Sequence, residues 1–194
     1  MEPNLITPDT KESFWKELGK LILIAVVFVV PFRLFIAQPF IVDGASMDPT
    51  FKNGQYLVVD ELSYHFSTPE RGSVLIFKYP NNPKKYYIKR VIGLPNETVS
   101  ISKGKVTIVN SDNPNGLLLD ESYVVYSKDD NSVFKVPEGE YFVMGDNRAG
   151  SSDSRYWGGV PEKNIIGRPI LRAWPLTLWP GDEENLTKEN EEKN

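Results

Sequence analysis

The chain has 194 residues, of which 40% are hydrophobic and 25% charged, so it is long enough for one folded domain with appendages. It contains no cysteine and one histidine, which excludes disulfides, thiol catalysis and cysteine-based zinc sites. Residues 182–194 carry a net charge of −4, equal to that of the whole chain, so the remainder is near neutral. The chain lacks the basic stripe that nucleic-acid binding requires, and we expect no nucleic-acid partner.

The first predicted element is an apolar segment at residues 21–37, in which Arg33 is the one charged residue. As a helix it would be roughly 25 Å long, slightly shorter than the ~30 Å hydrocarbon core of a bilayer. We interpret it as a single transmembrane anchor that follows a cytoplasmic tail at residues 1–20. Because that tail holds three lysines, the charge pattern predicts a cytoplasmic N-terminus and an extracytoplasmic domain on the far side of the plasma (inner) membrane.

Two alternatives to a retained anchor exist. A cleaved signal peptide would also place lysines before an apolar run. However, Ile36-Ala37-Gln38-Pro39 is a poor small-x-small cleavage site, and the preceding tail is long and mixed in charge. A buried core helix is the other alternative, because the apolar run is short.

Residues 38–180 consist of short β-rich pieces separated by Gly, Pro, Asn and Asp. The pattern predicts a mainly β fold, an antiparallel sheet or barrel-like domain behind one N-terminal transmembrane helix. A hairpin turn is expected at residues 101–106. The predicted strands are residues 55–59, 73–77, 86–92, 98–101, 105–109, 132–136 and 141–144.

Three further segments are less regular. Residues 110–131 are polar and are expected to form an irregular insertion. Residues 174–179 are apolar and aromatic, which fits either a last strand or a contact with the membrane interface. Residues 181–194 are acidic and poor in large apolar side chains, and we expect a disordered tail.

A turn after the predicted anchor carries the first candidate for chemistry. It is the run Gly44-Ala45-Ser46-Met47-Asp48-Pro49-Thr50. A serine nucleophile needs a base to take its proton. Because the chain has no cysteine and one histidine, lysine heads the list of bases for Ser46.

The predicted strand at 86–92 supplies such a lysine. Side chains alternate along a strand, so Lys89 shares one face with Tyr87 and Val91. The residue could be a surface lysine whose amine reaches water, or a buried lysine whose pKa is lowered by desolvation. Only the second form provides enough neutral amine to act as a base.

A polar loop at residues 145–158 follows the last predicted strand. It could be a solvated turn held by local hydrogen bonds, or a scaffold of bidentate ion pairs around a site. The charged residues that would form such pairs are Asp146, Arg148, Asp153 and Arg155.

Taken together, these segments resemble the bacterial type I signal peptidases (leader peptidases), membrane-anchored serine peptidases with a Ser–Lys dyad. The match covers residues 38–174 and follows the family's order. An anchor precedes Ser-Met-x-Pro-Thr, Arg-Gly-Ser-Val, Tyr-Ile-Lys-Arg-Val-Ile-Gly-Leu-Pro, and Gly-Asp-Asn-Arg with Asp-Ser-Arg-Tyr-Trp-Gly. Four motifs in this order behind an anchor are a specific signal.

The resemblance implies a role for each matching position. Ser46 would be the nucleophile and Lys89 the general base, and no metal or cofactor would take part. Ser151, or the adjacent Ser152, would orient the lysine amine. The scaffold ion pairs would involve Asp146, Arg148, Asp153 and Arg155.

One position departs from part of the family. Some members carry a serine two residues before the nucleophile, where its hydroxyl completes the oxyanion hole, whereas this chain has Gly44. The Ser46 N–H would supply one donor, and the second would be a backbone N–H or water.

The resemblance also implies the substrate. The family cleaves exported preproteins after small-x-small sequences, usually Ala-x-Ala, so exported preproteins and the lipid bilayer are the expected partners. An extended substrate would add as a strand to a sheet edge. The residues expected to line its pockets, each of which could instead be core, are Phe40, Val42, Met47, Phe51, Tyr87 and Ile88.

Two other functions compete. A self-cleaving Ser–Lys peptidase of the repressor type would carry an N-terminal DNA-binding domain, but this chain offers a largely polar stretch of twenty residues and an apolar segment. An inactive, membrane-tethered β module that binds exported chains would not need Ser46, Lys89 and the Gly-Asp-Asn-Arg loop together.

Overall fold

The computed structural model describes residues 10–29, 37–174 and 176–178. The chain divides into two compact units, Met1–Ala37 and Gln38–Asn194. The predicted acidic tail and residues 30–36 of the predicted anchor lie outside the described residues.

The first unit is helical where it is described. Helix α1 spans Thr10–Ile24 and continues into a π-helical stretch at Ala25–Val29. The side chains of residues 21–28 are all exposed, and Phe28, for example, keeps 68% of its surface accessible. No helix within residues 10–29, 37–174 and 176–178 combines the length and apolarity needed to cross a bilayer.

The described residues after position 36 are mainly β. A short helix α2 spans Ser154–Trp157 and is capped by Asp153, whose carboxylate accepts the Arg155 N–H. The strands are β1 (Ala37–Ile41), β2 (Tyr56–Asp60), β3 (Val74–Tyr79), β4 (Asn82–Gly93), β5 (Thr98–Ser102), β6 (Lys105–Val109), β7 (Leu117–Leu118), β8 (Ser132–Lys135), β9 (Glu140–Met144), β10 (Val160–Pro161), β11 (Ile165–Trp174) and β12 (Leu176–Leu178).

These strands form two sheets in the described part of the chain. The larger has the order β1-β2-β11-β3-β4-β9-β10, with β12 added to β11, and the smaller has the order β7-β6-β5-β8. Every pair whose register is described is antiparallel. The predicted mainly β, antiparallel fold is therefore confirmed. A barrel-like closure is not found among the described strands, because each sheet keeps two edge strands.

Local patterns account for most of these strands. In β5 and β6, buried and more exposed residues alternate, as expected for strands with one face on a core. The predicted hairpin joins them, with Ser102 paired to Lys105. Its two turn residues, Lys103 and Gly104, both have positive φ, as a two-residue hairpin turn of this kind requires.

Strand β11 is a central element that the sequence did not reveal. It pairs with β2 on one side and β3 on the other. Gly167 and Pro169 argue against a central strand, but both lie next to register shifts that relax the ladder. A Cβ at Gly167 would lie 2.1 Å from the Asp60 carbonyl oxygen, so the close approach of β2 requires glycine. The next segment, 174–179, contains β12, which pairs with β11 as a last strand.

Three buried clusters support the two sheets. One, at the smaller sheet, consists of Ile92, Val99, Ile101, Val106, Ile108, Val136, Phe142 and Met144. A second, under β2 and β3, consists of Val42, Met47, Phe51, Leu57, Val59, Val74 and Ile76. The third consists of Leu75, Phe77, Val91, Tyr141, Val143 and Val160. The second and third clusters carry the candidate site described below.

Candidate active site

Ser46 lies in a turn between β1 and β2. Gly44, two residues earlier, has φ = 96°, a conformation that side-chain-bearing residues rarely adopt, and its N–H donates to Asn53 Oδ1 over 2.8 Å. After Ser46, the side chains of Met47 and Phe51 are fully buried in the second cluster. The turn is thus fixed by core packing on one side of Ser46 and by a hydrogen bond on the other.

Lys89 approaches Ser46 from strand β4. Its side chain is only 4% exposed, and Nζ donates to Ser46 Oγ over 2.7 Å and to the Ile88 carbonyl over 2.8 Å. The Tyr87 ring lies beneath the amine, with 5.3 Å between Nζ and the ring centroid. A neutral Lys89 amine could accept the serine proton along the same 2.7 Å contact.

Burial lowers the pKa of Lys89 from 10.5 to about 8, while the carboxylates of Asp153 and Asp146 act in the opposite direction. At pH 8 roughly half of the amine would then be neutral, compared with well under 1% of an ordinary lysine. The structure therefore places a usable base in contact with a serine hydroxyl.

An open groove of about 590 Å³ runs past this pair. Four of the residues expected at substrate pockets line it, namely Phe40, Val42, Tyr87 and Ile88. The other two do not, which corrects the sequence assignment. Met47 and Phe51 are 0% exposed and pack in the core that supports the turn, so a substrate side chain cannot reach them.

One wall of the groove is an unpaired strand edge. Strand β4 pairs with β3 from Asn82 to Arg90, whereas its pairing with β9 begins only at Arg90. Among the described strands, the second edge of residues 82–89 therefore has no partner, and residues 85–89 line the groove. The backbone groups of such an edge are suited to pairing with an added extended chain.

The loop after β9 closes tightly over the Ser46 turn. A Cβ at Gly145 would lie 2.3 Å from the Ser46 carbonyl oxygen and 2.3 Å from Ser151 Oγ, so only glycine fits. The next residue, Asp146, is 1% exposed and binds Arg90 with both carboxylate oxygens, at 2.9 and 2.8 Å. It also accepts a 2.5 Å hydrogen bond from the Thr50 hydroxyl. Asp146 thus joins the strand that carries Lys89 to the turn that carries Ser46.

The other three expected scaffold residues also lie in ion pairs. Arg148 forms a bidentate pair with Glu121, at 3.0 and 2.5 Å, and its Nε donates to the Gly145 carbonyl. Arg155 binds both oxygens of Asp153 at 2.8 Å and also pairs with Asp130.

Part of this scaffold comes from the segment at 110–131, which the sequence predicted to be an irregular insertion. Glu121 and Asp130 belong to it, and so does Tyr123, whose ring centroid lies 4.0 Å from the Arg90 guanidinium carbon. Burial, followed by the Glu121 charge, raises the pKa of Tyr123. No local signal marks their role in the scaffold, because the arginines that they contact lie at least 25 positions away along the chain.

The two candidates for orienting the lysine differ in position. Ser151 is 6% exposed, and its Oγ has no hydrogen-bond partner within the described chain, so it makes none with Lys89. Ser152 is exposed and lines the groove. Its place in the groove gives Ser152 access to a bound chain, whereas Ser151 lies against Gly145.

Three features of the site are typical of a serine peptidase. They are an antiparallel β scaffold, a serine hydrogen-bonded to a buried lysine, and an open strand edge. The chain belongs to the signal peptidase family, because the model of the family described as "Signal peptidase, peptidase S26" matches residues 15–174. The family's members are serine endopeptidases, and this protein is one of them.

Several named proteins are similar to this chain. Over 189 residues the chain is 37% identical to probable signal peptidase I-2 of Synechocystis sp., which covers 91% of this chain and 84% of the relative. It is 40% identical over 166 residues to signal peptidase I of Leptolyngbya laminosa, covering 81% and 78% of the two chains. A solved signal peptidase I from Enterococcus faecalis is 36% identical, with a TM-score of 0.44, over 53% of this chain and 97% of that one.

Proposed function

We propose that this protein is a membrane-bound endopeptidase that removes signal peptides from exported preproteins after small-x-small sites, typically Ala-x-Ala. Ser46 is the nucleophile and Lys89 the general base. The observation that carries the proposal is the 2.7 Å hydrogen bond between a serine hydroxyl and an amine that is almost fully buried.

The chemistry follows from the protonation states of this pair. The neutral Lys89 amine takes the Ser46 proton as Oγ attacks the scissile carbonyl carbon, and the Ser46 N–H donates to the resulting oxyanion. The Lys89 ammonium then protonates the departing amine, which leaves an acyl group on Ser46. The neutral amine next activates a water molecule, which hydrolyses the ester and restores Ser46.

The lining of the groove supports a preference for small side chains. An extended preprotein would pair with the open edge of β4, whose residues 85–89 line the groove. Side chains of a bound strand alternate in direction, so every second one points toward the protein. Phe40, Val42 and Ile88 line the groove with bulky apolar groups, which favours small apolar side chains such as alanine.

The first unit supports a membrane location. Residues 21–28 expose an uninterrupted apolar surface, and the three lysines before them fit a cytoplasmic N-terminus. With this orientation the peptidase domain lies outside the plasma (inner) membrane, where exported preproteins emerge. The lipid bilayer and preproteins are then its partners.

The proposal is tested with the full chain in detergent and a preprotein that carries an Ala-x-Ala site. Wild type is expected to cleave after the second alanine, whereas Ser46→Ala and Lys89→Ala are expected to be inactive. Ser111→Ala is a matched control, because Ser111 is exposed and its hydroxyl donates to its neighbour Asp112. Unimpaired cleavage by either dyad variant would refute the assignment, and no cleavage by folded wild type would favour a binding module.

A further inference from the structure

Asn147 contacts the backbone on both sides of Ser46. Its N–H donates to the Ser46 carbonyl over 3.1 Å, and its side-chain Nδ2 donates to the Ala45 carbonyl over 3.1 Å. Its Oδ1 accepts the Gly150 N–H over 2.8 Å. Because an amide oxygen must face that N–H, the NH₂ group must face Ala45, and the orientation of the amide is fixed.

These contacts determine the direction of a third group, the Ser46 N–H. The Ala45 carbonyl and the Ser46 N–H belong to one planar trans peptide unit, so the N–H points opposite to the carbonyl. A donor that holds the Ala45 oxygen therefore sets the direction of the Ser46 N–H. In the described part of the chain this N–H has no backbone acceptor, which leaves it available to a substrate oxygen.

We propose that Asn147 is a positioning residue for the oxyanion hole, which holds the Ala45–Ser46 peptide so that the Ser46 N–H faces the developing negative charge. The inference rests on the proposed role of Ser46 as nucleophile. Alignment matters here because Gly44 offers no side-chain hydroxyl as a second donor. A hydrogen bond to the carbonyl also polarises the peptide unit, which strengthens its N–H as a donor.

The neighbouring glycine leaves room for this arrangement. A Cβ at Gly150 would lie 2.9 Å from Asn147 Nδ2 and 3.1 Å from Oδ1, so a larger residue there would displace the amide. The amide is thus held on one side by the Gly150 backbone and reaches the Ser46 turn on the other.

The test compares Asn147→Ala and Asn147→Asp with a matched control, Asn164→Asp. Asn164 Nδ2 also donates to a backbone carbonyl over 3.1 Å, but that carbonyl belongs to Lys78 on β3 and not to the turn that carries Ser46. Asn147→Ala removes the donor without adding charge. Asn147→Asp keeps an acceptor for Gly150 and turns a carboxylate oxygen toward Ala45. Values of kcat and KM are measured for an Ala-x-Ala peptide with the full chain, across pH, together with the melting temperature.

Both Asn147 variants are expected to lower kcat by about 10- to 100-fold, less than the complete loss of an oxyanion donor, with KM changed by less than about twofold. Asn164→Asp is expected to keep wild-type kcat. The pH–rate profile of Asn147→Ala is expected to have the same midpoint as that of wild type, because the hydrogen bonds of the Lys89 amine go to Ser46 and Ile88 and not to Asn147.

Two results would overturn the inference. One is a kcat for both Asn147 variants as high as that of Asn164→Asp. The other is a proportional rise in KM with kcat unchanged, which would assign Asn147 to substrate binding. The proposed function is tested separately, because an active Ser46→Ala would refute the dyad whatever the Asn147 variants do.

Discussion

The carboxylate of Asp146 connects Arg90, the residue next to Lys89, to Thr50, four residues after Ser46. Both side chains of the Arg90–Asp146 pair are at most 3% exposed. Loss of one partner from a buried pair of this kind strongly destabilises the protein, because the other charge then stays buried without a counter-charge. The Ser46–Lys89 contact is therefore held from outside the dyad, by an ion pair on the strand and a hydrogen bond to the turn.

The first prediction concerns the pH dependence of activity. Because the pKa of Lys89 is lowered to about 8 and we propose its neutral amine as the base, kcat/KM is expected to rise with pH and level off above 8. Below that value the rate should change about tenfold per pH unit. The measurement is a pH–rate profile from pH 6 to 10, with circular dichroism to show that the fold persists. A flat profile over this range would contradict the assignment of Lys89 as base.

The second prediction concerns the stability cost of the same residue. Lys89→Met removes a buried amine, so we expect an inactive variant with a higher free energy of unfolding than wild type at pH 7. Because the pKa is about 8 in the folded state and 10.5 in the unfolded state, the unfolded wild type binds more protons between these values. The free energy of unfolding of wild type therefore rises with pH, by on the order of 3 kcal/mol. The difference in unfolding free energy between Lys89→Met and wild type narrows accordingly.

Urea unfolding of both proteins at pH 7 and pH 10 checks this prediction. The control is Lys105→Met, since Lys105 is exposed on β6 and its replacement should have a similar effect at both pH values. If the difference in unfolding free energy between Lys89→Met and wild type stays constant or widens with pH, the pKa of Lys89 is not lowered in the folded protein.

The third prediction concerns the irregular segment. Glu121→Gln leaves the Arg148 guanidinium, which is 3% exposed, without its carboxylate partner. We expect the free energy of unfolding to fall by about 3 kcal/mol. We also expect kcat to fall, because Arg148 holds the Gly145 carbonyl beside the Ser46 turn. Urea unfolding and preprotein cleavage measure the two effects.

An exposed ion pair provides the comparison. Arg168 is 51% exposed and lies 3.6 Å from Asp60, so Arg168→Gln should change the unfolding free energy by less than about 1 kcal/mol. If Glu121→Gln and Arg168→Gln lower the unfolding free energy by the same small amount, the Glu121–Arg148 pair stabilises the fold no more than an exposed ion pair does.

The sequence predicted those parts of the fold that depend on neighbours along the chain. Strands β5 and β6 follow from alternating residues and a two-residue turn, and both were predicted within one residue. Strand β11 was missed because Gly167 and Pro169 interrupt its pattern. The interruption is tolerated through register shifts against β2 and β3, and a single sequence does not reveal those partners.

The site shows the same division. Ser46 and Lys89 were assigned from motifs, and the structure brings their side chains together. The partners of Asp146 and Arg148 were not foreseen, because Arg90 and Glu121 lie 56 and 27 positions away and carry no local mark of their role. Met47 and Phe51 were assigned to the groove from the family resemblance, with core packing as the alternative, and the structure places both side chains in the core.

The last prediction concerns Gly44, where some members of the family carry a serine. A new Cβ at this position meets no atom within 4 Å, but φ = 96° is strained for any residue other than glycine. We therefore expect Gly44→Ser to lower the free energy of unfolding by about 1–3 kcal/mol and to give no increase in kcat, because relief of the strain displaces the turn that carries Ser46. Gly44→Ala is the matched control, since it introduces the same strain without a hydroxyl. Unfolding by urea and cleavage of an Ala-x-Ala peptide are measured for both. A Gly44→Ser enzyme faster than wild type would show that a serine hydroxyl can serve as the second oxyanion donor in this backbone.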